Sequence, residues 1–210
     1  MKTKLLASAV LAALFVAPVQ AQQTYFGLDL GVASVDRSSE QSRDLDTALL
    51  ITDALLVTSK VDQRSTTFRV HLGYFITDDV ALEIGYFSTG SFDGTYSAST
   101  GQNVKTETQL SGFDVSANYY IGGFFLKGGL HNTKADFKAT DVYGSSGFDK
   151  STTGLLLGLG YQNKLAKNLD YRLSYTYLNG VETPSLSTYI FNDYNKQDFG
   201  FLAAGLVYKF

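Results

Sequence analysis

Ionisable side chains recur in this sequence on one face of alternating segments, where they could form ion pairs or a polar pathway. Three are acids and three are bases, each in a different segment: Asp29, Arg69, Glu83, Asp114, Lys127 and Arg172. A charge left unpaired in a low-dielectric interior costs several kcal/mol, so we expect these residues to pair inside the fold. The alternative is a polar thread that passes water or small ions.

The positions of these residues along their segments predict which ones meet. Counted from the short-turn ends, Asp29, Glu83, Lys127 and Arg172 lie at similar depth. We therefore predict that Glu83 pairs with Arg172 or Lys127. A second layer is predicted to hold the remaining charges and both histidines: Arg69, His71, Asp114 and His131.

The other reactive side chains favour no catalytic or metal site. Cysteine is absent, and His71 and His131 lie in no His-Glu-x-x-His arrangement, so zinc is poorly supported. Ser116 and Ser174 share the charged face, but a triad inside a filled lumen would have no access to substrate. We expect no enzyme activity, no cofactor and no bound metal.

The segments that must position these residues alternate in hydrophobicity with a period of two. Eight such segments are predicted as strands, at about 24–35, 64–77, 80–90, 109–121, 124–134, 152–163, 169–180 and 198–210. One face carries the large aliphatic residues and the other carries glycine and charges. A soluble core lined with glycine, aspartate and arginine could not stabilise itself, so we predict an inside-out barrel instead of a lipocalin-like one.

The lengths of the connections indicate the same architecture. Short connections at 77–79, 122–123 and 163–168 alternate with four long polar segments, at 36–63, 91–108, 135–151 and 181–197. Short periplasmic turns and long extracellular loops are typical of outer-membrane barrels. The fold predicted is all-β, an eight-stranded antiparallel up-and-down transmembrane β-barrel.

Aromatic residues cluster near the strand ends, as the girdles of a membrane barrel do. The short-turn set is Tyr25, Phe26, Tyr74, Tyr119, Phe124, Tyr161, Tyr171, Tyr208 and Phe210, and the long-loop set is Tyr86 and Tyr177. Tryptophan is absent, so tyrosine and phenylalanine would take its role.

Residues 1–21 are predicted to be a secretory signal, with Lys2 and Lys4 before an apolar stretch and small residues before the cut. Sec-type export and cleavage would leave residues 22–210 as the barrel domain and change the net charge from −3 to −5. An acidic chain of this kind is a poor binder of nucleic acid.

Two of the long segments contain apolar or aromatic residues that could contact a ligand. Leu49, Leu55 and Leu56 lie in a stretch with helical spacing, which could touch lipid, lipopolysaccharide or a partner, or could pack on its own hairpin. Tyr189, Phe191 and Tyr194 form a possible aromatic tip. The segments 91–108 and 135–151 are rich in Ser, Thr and Gly, and we expect them to be mobile loops.

The last strand carries Gly205, Tyr208 and Phe210 in the spacing of an outer-membrane insertion signal, with Ala203 where a polar residue is usual. With the opening strand Tyr25-Phe-Gly-Leu-Asp-Leu-Gly-Val, it resembles the OmpA-like and OmpX-like family of small Gram-negative outer-membrane barrels. The resemblance implies folding by the barrel-assembly machinery with periplasmic chaperones, and no enzyme residues. No peptidoglycan-binding domain follows Phe210, so we do not expect cell-wall tethering.

These observations leave three functions open. The first is a structural or surface-interaction protein that presents loops for adhesion to a host or surface ligand. The second is a narrow, porin-like channel for water, small solutes or hydrophobic molecules. The third, which has least support, is a lipid-modifying enzyme.

Overall fold

The computed structural model describes residues 24–35, 56–98, 103–142, 144–184 and 194–210. These residues form no helix that is long and apolar enough to cross a bilayer. They form ten β-strands: β1 Thr24–Val35, β2 Leu56–Val61, β3 Arg64–Phe75, β4 Val80–Thr89, β5 Phe92–Ala98, β6 Asn103–Ile121, β7 Phe124–Asp141, β8 Gly144–Ala166, β9 Leu169–Pro184 and β10 Tyr194–Lys209.

Eight of these strands close into an antiparallel ring in the order β1, β3, β4, β6, β7, β8, β9 and β10. The first and last strands complete it, with partners from Tyr25 and Lys209 at one end to Val35 and Phe199 at the other. A closed ring satisfies every backbone group internally, which hydrocarbon requires. The predicted eight-stranded barrel is confirmed.

The two remaining strands extend the ring on the side of the long connections. β2 pairs with β5, and β5 pairs with the start of β6, so that β2 and β5 prolong β3 and β4 beyond short breaks. β6, β7 and β8 also run on past the ring, and the β7–β8 pairing continues to Asp141 and Gly144.

The prediction that 91–108 and 135–151 are loops is therefore wrong for most of both segments, because strands occupy them, and their mobility stays a prediction. β2 likewise lies in the predicted loop 36–63, and the ends of β9 and β10 lie in 181–197. The error has a physical origin. Apart from a few inward residues such as Phe92 and Phe137, these segments are polar, which looks like a loop in sequence. Backbone pairing between neighbouring strands, however, needs no continuous apolar face.

The faces of the ring are inside out, as predicted. Leu30 and Leu126 are 61% and 57% exposed on the outer surface, whereas Glu83 and Arg172 are 2% and 1% exposed in the lumen. Outward side chains stay apolar from Phe124 to Leu130 on β7 and then become polar. At 3.4 Å or less per residue, the polar part of β7 measures about 30 Å along the strand.

Aromatic rings line both rims of the belt. On the long-connection side, the ring of Tyr86 packs against Phe68 and Phe113 at centroid distances of 6.2 and 5.1 Å. On the short-turn side, Tyr161 packs against Phe124 and Tyr171. The placement of Tyr25 in this girdle was wrong.

The side chain of Tyr25 is fully buried in the lumen. Its position on β1 has the phase of Gly27 and Asp29, which both face inward, so the alternation of the strand turns its ring away from lipid.

Bulky interior side chains lie over glycines of the neighbouring strand. A Cβ atom at Gly73 would be 1.9 Å from Tyr25 Cζ, and one at Gly27 would be 2.2 Å from His71 Nε2. A lumen of eight strands is only just wide enough for side chains to fill, so each large residue needs such a gap opposite it.

We predict that Gly73→Ala destabilises the barrel while Gly128→Ala does not. The first methyl would displace the buried Tyr25 ring, which overpacking data put at about 1–3 kcal/mol. A Cβ at Gly128, on the lipid-facing side of β7, would meet nothing within 4 Å. Urea unfolding in detergent micelles, followed by circular dichroism, measures both, and equal midpoints would contradict the packing argument.

Candidate functional site

The centre of the lumen is built around the carboxylate of Glu83. It accepts hydrogen bonds from Arg69 Nη2 at 2.7 Å, Lys127 Nζ at 2.9 Å and Arg172 Nη1 at 2.7 Å. The Tyr25 hydroxyl also donates to it at 3.1 Å. Glu83 therefore contacts both of its predicted partners and a third cation.

A second carboxylate, Asp114, is held by the same arginine. Arg69 donates to it twice, with Nη2–Oδ1 at 2.7 Å and Nε–Oδ2 at 2.9 Å, in the two-pronged geometry that arginine forms with carboxylates. Asp29 lies 3.7 Å from Arg69 Nη1 and 3.4 Å from His71 Nδ1. We call this group the central ion cluster: Asp29, Arg69, His71, Glu83, Asp114, Lys127 and Arg172.

The structure thus brings all six predicted charged residues into one group, and the predicted division into two layers is wrong. Asp29 and Arg69 are direct register partners on β1 and β3, although counting from the turns put them at different depths. Strands in a barrel are tilted and staggered, so equal distance from a turn is not equal height along the barrel axis.

The central ion cluster balances its own charge. It contains three acids and three bases, all of them in the lumen, and His71 Nε2 lies 3.0 Å from Arg172 Nη1, where it can only accept. A neutral His71 leaves the cluster without net charge, which lowers the cost of holding it away from water.

His131, predicted in the second layer, lies apart from this cluster. Its Nε2 is 3.2 Å from the carbonyl oxygen of Asn179, and its Nδ1 is 2.8 Å from the hydroxyl of Thr133. A carbonyl only accepts, so Nε2 carries the proton and Nδ1 accepts from Thr133. This pairing explains His131 as a structural residue; the expectation that the chain is not an enzyme stays a prediction.

Apolar layers enclose the cluster from both ends. Above it, the rings of Phe87 and Phe201 pack in a tilted arrangement at 5.4 Å, and those of Phe92 and Phe199 pack edge to face at 5.8 Å. Both pairs belong to a buried core that reaches the long-connection side. These rings were not predicted for the inner face, which was expected to carry glycine and charge. The signal was present, since Phe87 shares the phase of Glu83.

Below the cluster, a second core contains Tyr25, Tyr120 and Phe125, with Phe75 packed against it. The guanidinium carbon of Arg172 lies 4.4 Å from the centre of the Phe125 ring, so the two layers are in direct contact. The lumen is filled in three layers, and a continuous water path would have to cross both apolar ones.

Beyond the belt, four strands form a polar surface that we call the outer hairpin sheet, made of residues 92–98, 103–110, 133–141 and 144–152. Lys134 contacts Asp136 at 2.5 Å and Asp149 at 3.7 Å, and the hydrogen bond to Asp136 raises the pKa of the lysine. A cleft of about 310 Å³ opens here, beside Glu107 and Lys138.

The predicted loop contacts are only partly placed. Leu49, Leu55, Tyr189 and Phe191 lie outside the described residues. Leu56 and Tyr194 are the first residues of β2 and β10, so the predicted helical stretch ends in a strand.

The three residues of the predicted insertion signal lie on β10 and at the end of the chain. A Cβ at Gly205 would be 2.0 Å from Asp29 Oδ1, so this glycine makes room for the central ion cluster. Tyr208 and Phe210 face outward with their rings 5.4 Å apart, and the amide of Phe210 donates to the carbonyl of Thr24. Their role in membrane insertion stays a prediction.

We predict that Glu83→Gln strongly destabilises the barrel, because three buried cations would then surround a neutral amide. Breaking a buried pair costs about 3–5 kcal/mol. Glu107→Gln, an exposed acid on the outer hairpin sheet, is the control and should change stability by less than about 0.5 kcal/mol. Circular dichroism during urea unfolding is suitable, since the chain has no tryptophan.

A double variant tests whether the lost stability comes from the unpaired cations and not from altered packing at residue 83. Adding Lys127→Met to Glu83→Gln removes one of the stranded cations and should recover part of the lost stability, as expected for residues in contact. Additive losses would mean that the central ion cluster does not act as a unit.

Comparison with known proteins agrees with this architecture. The family model for the OmpA-like transmembrane domain matches residues 19–210. No curated protein sequence matches the chain. Among solved structures, Neisserial surface protein A is 18% identical with a TM-score of 0.54, over 89% of this chain and 97% of that one.

Ail, the attachment invasion locus protein of Yersinia pestis, is 16% identical with a TM-score of 0.52, over 90% of this chain and 99% of that one. At these identities the two structures support the fold alone, whereas the family model covers nearly the whole chain. The closed ring, its apolar outer belt and this match together show that the chain belongs to the family of OmpA-like transmembrane domains, as an outer-membrane β-barrel.

Proposed function

We propose that this chain is a closed surface-interaction barrel that presents the outer hairpin sheet to a partner outside the cell. The observation that carries the proposal is the continuation of β5, β6, β7 and β8 past the apolar belt as a paired, polar sheet. A long polar extension contributes little to membrane insertion, so its size favours recognition.

The proposed mechanism is recognition by a preformed surface instead of by mobile loops. Pairing along β7 and β8 fixes the backbone of the extension, so less conformational entropy is lost when a partner binds. A side-chain link to the next strand adds to this, since Lys150 Nζ of β8 lies 3.4 Å from Glu182 Oε2 of β9.

The relatives support a surface role by analogy. The Yersinia pestis protein is named for attachment and invasion and was also solved with the heparin analogue sucrose octasulfate. In this chain the cleft of the outer hairpin sheet mixes Glu107, Asp136 and Asp149 with Lys138. Carboxylates repel sulfates, so the mixed cleft favours a protein or a weakly charged glycan over a highly sulfated one.

The membrane part of the proposal concerns lipid and assembly. We propose that the apolar belt contacts outer-membrane lipid, including lipopolysaccharide, after Sec-type export and signal cleavage. Assembly would use periplasmic chaperones and the barrel-assembly machinery, with Gly205, Tyr208 and Phe210 as the recognised end.

Truncation of one hairpin tests the surface role. Asp136 and Asp149 are register partners, so replacing 136–149 by Asn-Gly joins Ala135 to Lys150 through a two-residue turn. Cells that display the full chain should bind to a panel of extracellular-matrix proteins and host-cell surfaces, and cells with the truncated chain should lose that binding. Heat-modifiable gel mobility checks that both barrels are folded.

A matched truncation locates the binding surface. Gly94 and Thr106 are register partners, so replacing 95–105 by Asn-Gly shortens the other hairpin in the same way. Loss of binding with either truncation supports the outer hairpin sheet as the contact. Binding that survives both truncations, or no binding by the full chain, would contradict the proposal.

We also predict that the purified chain gives no steady openings in planar bilayers. The Phe87–Phe201 and Phe92–Phe199 pairs exclude water above the central ion cluster, and apolar constrictions stop ion flow by dewetting. Steady openings of the unmodified chain would instead favour the narrow channel. Replacing both Phe87 and Phe201 by Ser should raise the frequency of openings if this layer is the barrier.

A further inference from the structure

A small cavity in the lumen is lined by Phe201 together with Asp29 and Arg69 of the central ion cluster. Its volume is about 20 Å³. The lining comes from four neighbouring strands of the ring, β1, β3, β9 and β10, and includes Asp29, Thr67, Arg69, Ser174, Thr176 and Phe201. The cavity therefore lies at the pairing of β1 with β10, where the barrel closes.

One polar atom beside this cavity is left without a partner. Asp29 is 3% exposed, and among the described residues its Oδ1 makes no hydrogen bond. The other oxygen, Oδ2, lies near Arg69 and His71. Buried carboxylate oxygens are almost always hydrogen-bonded. An unpaired carboxylate oxygen on a residue that lines a cavity therefore needs a donor.

We propose that this cavity binds one water molecule, which donates to Asp29 Oδ1 and bonds to the hydroxyl of Ser174 or Thr176. A cavity must offer about 10–15 Å³ to hold a water, so the observed space accommodates one. The site is also polar enough, since carboxylate, hydroxyl and guanidinium groups border it. This inference concerns the closure of the barrel and goes beyond the proposed surface function.

The charges around the cavity favour water over an ion. The central ion cluster already pairs three acids with three bases. A cation would add an unbalanced positive charge beside Arg69, and an anion would face the carboxylate of Asp29. Water supplies the missing donor without adding charge.

The bound water has a structural consequence. Asp29 stands on β1, whereas Ser174 and Thr176 stand on β9, and β10 lies between these strands. The water would link Asp29 on β1 to a hydroxyl group on β9. It would therefore bridge the pairing of β1 with β10 that closes the barrel. Gly205 opposite Asp29 leaves the space that Oδ1 of this carboxylate occupies.

Diffraction from crystals of the full chain grown in rubidium chloride tests the occupant directly. The expected result is one water-sized density peak within hydrogen-bond distance of Asp29 Oδ1, with no anomalous signal. An anomalous rubidium peak would overturn the assignment in favour of a cation. An empty cavity at a resolution that shows other ordered waters would also overturn it.

A variant pair tests the same site in solution. Ala203 lines the cavity, and Ala203→Val would fill it and displace the water, whereas Ala204→Val places the same methyl groups on the lipid face. We expect Ala203→Val to lower the folding equilibrium constant about tenfold or more, because a buried acceptor would lose its hydrogen-bond donor. The second should leave it nearly unchanged.

The background Asp29→Ala separates displacement of water from simple crowding. Without the carboxylate, the added valine fills empty space, so Ala203→Val should cost little or become stabilising. An equal loss in both backgrounds would show that the effect is steric and would overturn the water bridge. If Ala203→Val does not fold in the Asp29 background but does fold in the Asp29→Ala background, the proposal is supported.

Discussion

The pairing of β1 with β10 is the constraint on which the rest of this structure depends. Hydrocarbon offers no water to an unpaired amide or carbonyl, so a sheet that spans a bilayer must leave no edge. Closure with eight strands fixes the width of the lumen. Because that width leaves little free space, the large inward side chains of the described strands lie against one another or over a glycine.

The narrow lumen explains why charge and glycine occur together on the inner face. Arg69, His71 and Tyr25 each lie over a glycine of an adjacent strand, which lets long side chains reach Glu83 without distorting the ring. Buried ion pairs are weak evidence for stability in themselves. Here they also define register, because a one-residue slip would turn Glu83 toward lipid and an outward leucine toward the lumen.

The apolar belt and the polar extension are formed by the same strands but require different side chains. Within the belt, β6, β7 and β8 present apolar side chains to lipid and pack the lumen, so their chemistry is narrowly constrained. Above the belt the same strands continue as backbone-paired hairpins, and their outward side chains are mostly polar. Phe87, Phe92, Phe199 and Phe201 mark the border between these regions inside the barrel.

The sequence by itself determined the alternation of faces, the eight ring strands, the short turns and the identity of the six charged residues of the central ion cluster. It could do so because a period of two is a local property of each strand. The tertiary structure decided which side chains lie at the same height along the barrel axis and can therefore contact one another. Arg69 and Asp114 join Glu83 in one cluster because strand stagger and the reach of an arginine act between strands.

The tertiary structure also decided three further features: the polar extensions of β5 to β8, the separate position of His131 and the cavity beside Asp29. The extensions need consecutive strands to stay paired far beyond the belt, His131 bonds to Asn179 of β9, and four strands line the cavity. No single strand carries the information for any of them. Hydrophobic alternation is written along one strand, whereas register, depth and enclosed space are relations among several, and these exist only once the ring has closed.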